Sequence, residues 1–129
     1  MKSITMILLL IMALHANAQQ TTTLLNESSE MKVYQLVFLK AGPNRNQDSA
    51  TAAGIQQEHL RYLTSMYEKG YADILGPFVE NQQIRGIVIY NVSTPEEARK
   101  LAEADPAVKA GRLIVEVHPW YSLKGSMLR

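Results

Sequence analysis

Along the chain, apolar residues recur in two periods, and the order in which the periods follow one another predicts the architecture. Residues 33–39 (VYQLVFL) are dense in β-branched and aromatic side chains and predict a strand, which Ala41-Gly42-Pro43-Asn44 breaks. Across residues 49–69 apolar side chains fall at Ala52, Ile55, Leu63 and Met66, one face of a helix, and Gly70 stands where a helix stops. Residues 72–79 predict a second strand, with Gly76-Pro77 inside it; the proline has no backbone donor, so this strand must bulge or lie at an edge. Residues 84–92 (IRGIVIYNV) predict a third strand. Thr94-Pro95-Glu96-Glu97 then carries a capping threonine, a first-turn proline and a glutamate three after the cap, so a second helix starts there and runs to about Ala104. Asp105-Pro106 ends it, a short turn closes at Gly111, and residues 113–118 predict a last strand followed by Pro119-Trp120-Tyr121. The order is βαββαβ, the ferredoxin-like α+β arrangement.

In that arrangement both helices cover one face of a four-stranded sheet, and the other face should be polar. These strands are apolar on both sides. Val33, Val37 and Leu39 oppose Tyr34, Leu36 and Phe38, and Ile87 and Ile89 oppose Val88 and Tyr90. A sheet apolar on both faces is covered on both faces, and a second sheet is the simplest cover, so a homodimer packed sheet on sheet is expected, with twofold symmetry. The alternative is that Trp120 and the residues after it fold over that face.

The first residues belong to targeting. Lys2, the apolar run of residues 4–14 and Ala16-Asn17-Ala18 form a signal-peptide pattern over residues 1–18. The run is shorter than the roughly 20 apolar residues that span a bilayer. Export without a retained membrane anchor, to the periplasm or the exterior, is therefore expected. Residues 19–31 read as a flexible leader, residues 32–121 as the domain and residues 122–129 as a tail. Losing Lys2 brings the 13 basic groups level with the 12 acidic ones, a balance unsuited to binding nucleic acid. With no cysteine, there is no disulfide framework, thiolate-bound metal or thiol nucleophile.

One polar residue interrupts the apolar stripe of the first helix. Ile55, His59 and Leu63 are spaced i, i+4, i+8, so the His59 ring faces the sheet and must find a partner. A structural histidine bonded to a carbonyl or a tyrosine hydroxyl is one reading; an acid–base residue is the other, since imidazole titrates near ~6.5. Asp105 continues the stripe of Ala98 and Leu101 or Ala102, which aims it at the same interior, although an aspartate before proline also serves as a helix cap at Ala107 and Val108.

His59 in a helix after a Gly-Pro loop, Gly76-Pro77 in the next strand, Asp105-Pro106 with Gly111, and Pro119-Trp120 after the last strand together resemble the YCII-related family over about residues 33–120. The resemblance implies a dimeric α+β barrel of ferredoxin-like halves and an active site on His59 and Asp105, with Gly76 and Pro77 lining the pocket. It further implies elimination or isomerisation of small cyclic or aromatic acids and related compounds. An aspartate against one ring nitrogen fixes the tautomer and leaves the other nitrogen to exchange a proton with substrate, which needs no cofactor. The rival is a noncatalytic ligand-binding or assembly module with His59 structural. Trp120 and Tyr121 can wall an aromatic site or plug a core. His118 should point with Glu116 away from Leu113, Val115 and Val117, and no metal-ligand motif is present. Tyr62 and Tyr67 read as packing residues.

Overall fold

The computed structural model describes residues 30–129. The expected signal peptide and nearly all of the leader lie outside the described residues. The chain forms β1 (Met31–Ala41), α1 (Ser49–Glu68), β2 (Ala72–Pro77), β3 (Ile84–Tyr90), α2 (Pro95–Glu103), α3 (Pro106–Lys109) and β4 (Leu113–Leu123). The four strands make one sheet in the order β2-β3-β1-β4, and β3 runs antiparallel to both β1 and β2. This is the expected βαββαβ order with one added turn of helix after Asp105.

Local sequence accounts for the helix ends. Asp48 caps α1, its Oδ1 accepting from the Thr51 N–H at 2.9 Å and its Oδ2 from the Thr51 hydroxyl at 2.8 Å. Those bonds hold the Asp48 carboxyl below its ordinary range. At the other end Gly70 takes a φ of +74°. Its N–H donates to the Tyr67 carbonyl and that of Tyr71 to the Met66 carbonyl, both at 2.9 Å, the paired closure that a left-handed glycine permits. For α2, Thr94 Oγ1 accepts from the Glu97 N–H at 3.1 Å and Pro95 fills the first turn. The Glu97 carboxylate reaches back to the Ser93 N–H at 3.3 Å, one residue before the cap.

The helices pack on one face of the sheet. Val37 and Leu39 of β1, Val88 and Tyr90 of β3 and Leu113 of β4 form a single core with Leu63 and Met66 of α1 and Ala98 and Ala102 of α2. Burying a leucine- or methionine-sized side chain contributes roughly 1.5–3 kcal/mol, while the alanines let α2 lie close. The opposite face carries Leu36, Phe38, Ile87 and Ile89, with Ile114 and Trp120 exposed at its β4 side. Lys40 crosses this face to Glu116 at 2.7 Å, and Glu116 also meets His118 Nε2 at 2.8 Å. Hydrogen bonding from Lys40, then from His118, holds the Glu116 carboxyl low.

Several strand ends differ from expectation. β2 and β3 stop at Pro77 and Tyr90, while β4 runs on through Pro119 to Leu123. β4 is an edge strand, where proline interrupts no central ladder. Trp120–Leu123 is thus part of the sheet and not a segment folded over it. By compactness the chain divides into Val33–Ser122 and a smaller unit that includes Leu123–Arg129. Within the smaller unit, Lys124 binds Glu30 twice, through its N–H to the carbonyl and through Nζ to the carboxylate, each at 2.9 Å.

Candidate active site

His59 stands on the buried face of α1, one turn before Leu63. Asp105 follows α2 and caps α3, its Oδ1 accepting from the Ala107 N–H at 2.8 Å. Its Oδ2 lies 2.6 Å from His59 Nδ1. Capping and pairing therefore coexist, one on each carboxylate oxygen. Asp105 is 1% exposed and His59 8%. A carboxylate so deeply buried needs both donors, and because it only accepts, the Nδ1 of His59 carries the hydrogen. The electron pair of the neutral ring is then on Nε2, to which no group bonds among the described residues.

The His59 ring forms part of the wall of a cavity of about 240 Å³. Asp105 sits behind the ring, outside the lining. Leu39, Leu60, Leu63, Leu75 and Leu113 make the apolar wall, and Gly76 and Pro77 are also in the lining. A Cβ on Gly76 would meet no atom within 4 Å, so no close packing demands glycine there. The close approach belongs to Gly86 on β3, where a Cβ would fall 2.7 Å from the Gly76 carbonyl oxygen.

Trp120 does not reach the cavity. It projects from the other face of the sheet, its ring centroid 6.3 Å from that of Tyr34 at 47°. The alternation that points His118 outward, onto Phe38 at 5.6 Å, carries Trp120 to the same side. His118 and His59 are thus on opposite faces. Among the described residues no group of three or more His, Cys, Asp or Glu is placed to hold a metal, and no helix is long and apolar enough to cross a membrane. Tyr62 packs as expected, donating to the Leu101 carbonyl at 2.7 Å. Burial, and then the Asp105 charge, push its phenol above the ordinary range, so it stays protonated. Tyr67, expected to pack, is exposed.

The residues that sequence reasoning missed are charged. Arg45, Arg85 and Arg112 all line the cavity, with Gln56 beside them. Arg45 and Arg112 are brought together by backbone pairing, in which the Gly42 N–H donates to the Arg112 carbonyl and the Asn44 N–H to the Gly111 carbonyl, each at 2.9 Å. Arg85 occupies a bulge. Leu39 pairs with Gly86 and Lys40 with Ile84, which leaves Arg85 as the extra residue on β3.

The model of the YCII-related domain matches residues 31–121. The chain belongs to the YCII-related family. A solved YCII-like structure with the same fold is 5-chloro-2-hydroxyhydroquinone dehydrochlorinase from Burkholderia phenoliruptrix, in complex with 2,5-dihydroxybenzoquinone. It is 21% identical, with a TM-score of 0.52, over 67% of this chain and 92% of the other. No protein of curated function matches the sequence. For a YCII-related chain the fold is thus shared with that dehydrochlorinase, and the ferredoxin-like reading of the sequence is confirmed.

Proposed function

We propose that this YCII-related protein is an exported, homodimeric enzyme that performs acid–base chemistry on a small cyclic or aromatic compound, by isomerisation or elimination and without a cofactor. The observation that carries the reading is the 2.6 Å contact of Asp105 with His59 Nδ1, buried behind a ring that walls a cavity. Nε2 takes a proton from a carbon, or from a hydroxyl conjugated with the ring; the freed pair forms a new double bond as the neighbouring pair is displaced, and that pair either departs with a leaving group or takes up the proton at another carbon. Asp105 orients the ring and stabilises the imidazolium formed. The named activity of the structural neighbour, loss of HCl from a hydroxylated ring, is a reaction of this type.

The capping bond that Asp105 accepts from the Ala107 N–H favours a second reading, in which the pair only braces α3 against α1 and the cavity binds without turnover. His59→Asn separates the two, because the asparagine amide can keep a donor near the Nδ1 position while Nε2 is lost. Wild type is assayed with a panel of hydroxylated ring compounds that includes 5-chloro-2-hydroxyhydroquinone. Turnover abolished in His59→Asn, with melting little changed, is the expected result. Equal turnover in the variant defeats the catalytic assignment, and binding without turnover by wild type establishes the second reading.

The apolar sheet face of Leu36, Phe38, Ile87 and Ile89 supports the dimer. Sedimentation of the mature protein at micromolar concentration is expected to give twice the monomer mass; a monomer refutes the assembly.

A further inference from the structure

Arg45, Arg85 and Arg112 all line the cavity, and no aspartate or glutamate does. Their hydrogen bonds go to neutral acceptors. Arg45 Nη1 donates to the Arg112 carbonyl at 2.8 Å, Arg112 Nη1 to Gln47 Oε1 at 2.7 Å, and Arg85 Nη1 to Asn81 Oδ1. Arg85 Nε is buried without any acceptor. Among the described residues none of the three arginines forms a salt bridge, although other cations do, Lys40 with Glu116 for example. Partial desolvation, then the charges of Arg112 and Arg85, lower the Arg45 guanidinium from its ordinary range, as expected where like charges are brought together.

We propose that the cavity is built for an anion, specifically a single-ring compound bearing a carboxylate, with the carboxylate among Arg45, Arg85 and Arg112 and the ring against the leucine wall beside His59. A guanidinium presents N–H groups in a planar fork that a carboxylate matches with two oxygens. The volume of about 240 Å³ suits one ring and its substituents and is below the range typical of drug-sized ligands. The arrangement also assigns a division of labour. Three arginines neutralise and orient the ligand, and His59, on α1, meets a carbon of the ring. The inference rests on the reading of this cavity as the substrate site, and it narrows the substrate class to ring carboxylates.

Benzoate and benzamide, equal in shape and different in charge, are the probes, with binding followed by calorimetry at low salt. Wild type is expected to bind benzoate at least about tenfold more tightly than benzamide, and the preference should fall as salt rises. Arg45→Gln, which removes one guanidinium from an exposed loop, should weaken benzoate by about tenfold or more and benzamide by much less. Equal affinity of wild type for the two probes, or no binding of benzoate, overturns the proposal, as does an Arg45→Gln protein that melts normally and binds benzoate as wild type does. Should Arg45→Gln fail to fold, the wild-type comparison decides alone. Benzoate selectivity in a protein that turns over no compound would sink the enzymatic reading and spare this one; turnover lost in His59→Asn, with benzoate and benzamide bound equally, would do the reverse.

Discussion

Asp105→Asn is expected to slow turnover by about 10³–10⁴-fold in a protein that still folds. The asparagine keeps an oxygen for the Ala107 N–H and is as good a cap as aspartate. Toward His59, however, it presents an amide N–H₂ where the carboxylate presented an acceptor at 2.6 Å. Two donors cannot share that bond, so Nδ1 must give up its hydrogen and the neutral ring carries it on Nε2. The nitrogen that faces substrate then has no electron pair to take a proton. Long-range proton–nitrogen NMR of the imidazole reads this without a substrate: Nδ1–H in wild type, Nε2–H in the variant. An unchanged tautomer, or unchanged turnover, would show that Asp105 does not set the state of the ring. Asp105→Ala goes further, removing the cap and one partner of a buried pair together, a change on the order of 3–5 kcal/mol.

The second large effect is one of backbone packing. A Cβ on Gly42 would overlap the Gly111 carbonyl oxygen and lie 2.8 Å from the Arg112 carbonyl carbon, and backbone on both sides cannot swing away. Gly111 is itself fixed, with a φ of +72° and Asn44 packed where a side chain would go. Gly42→Ala is therefore expected to destabilise the domain by about 3 kcal/mol, read as a fall in the urea midpoint. Gly76→Ala, with open space around it, is the control and should change stability little. Equal midpoints for the two variants would mean that the loop after β1 yields easily. Because Gly42 and Asn44 hold the segment that bears Arg45 against Arg112, a shift here should also reduce benzoate affinity.

His59 was legible because helical periodicity is a local property. A histidine between Ile55 and Leu63 on one stripe has only one direction to face, and the helix carries it to 8% exposure. Asp105 was legible for the same reason, and its two oxygens made capping and pairing compatible. The arginines were not. A charged residue in a loop or at a strand end reads as solvated, and what turns Arg45 and Arg112 toward one cavity is a pairing between residues far apart in the chain. For Arg85 the determinant is a one-residue slip of register opposite Leu39 and Lys40, which alternation along β3 alone does not reveal. Trp120 is the contrary case. Its side was readable by counting two from His118, provided the strand continues through Pro119, and ending that strand at His118 hid the parity.

Each outermost strand carries a proline, Pro77 at the end of β2 and Pro119 within β4. An incoming foreign strand finds a missing donor at either margin, so templated growth into fibrils is discouraged at the places where an open sheet is most vulnerable to it. Such built-in gatekeeping makes lateral polymerisation a poor competitor to the native state.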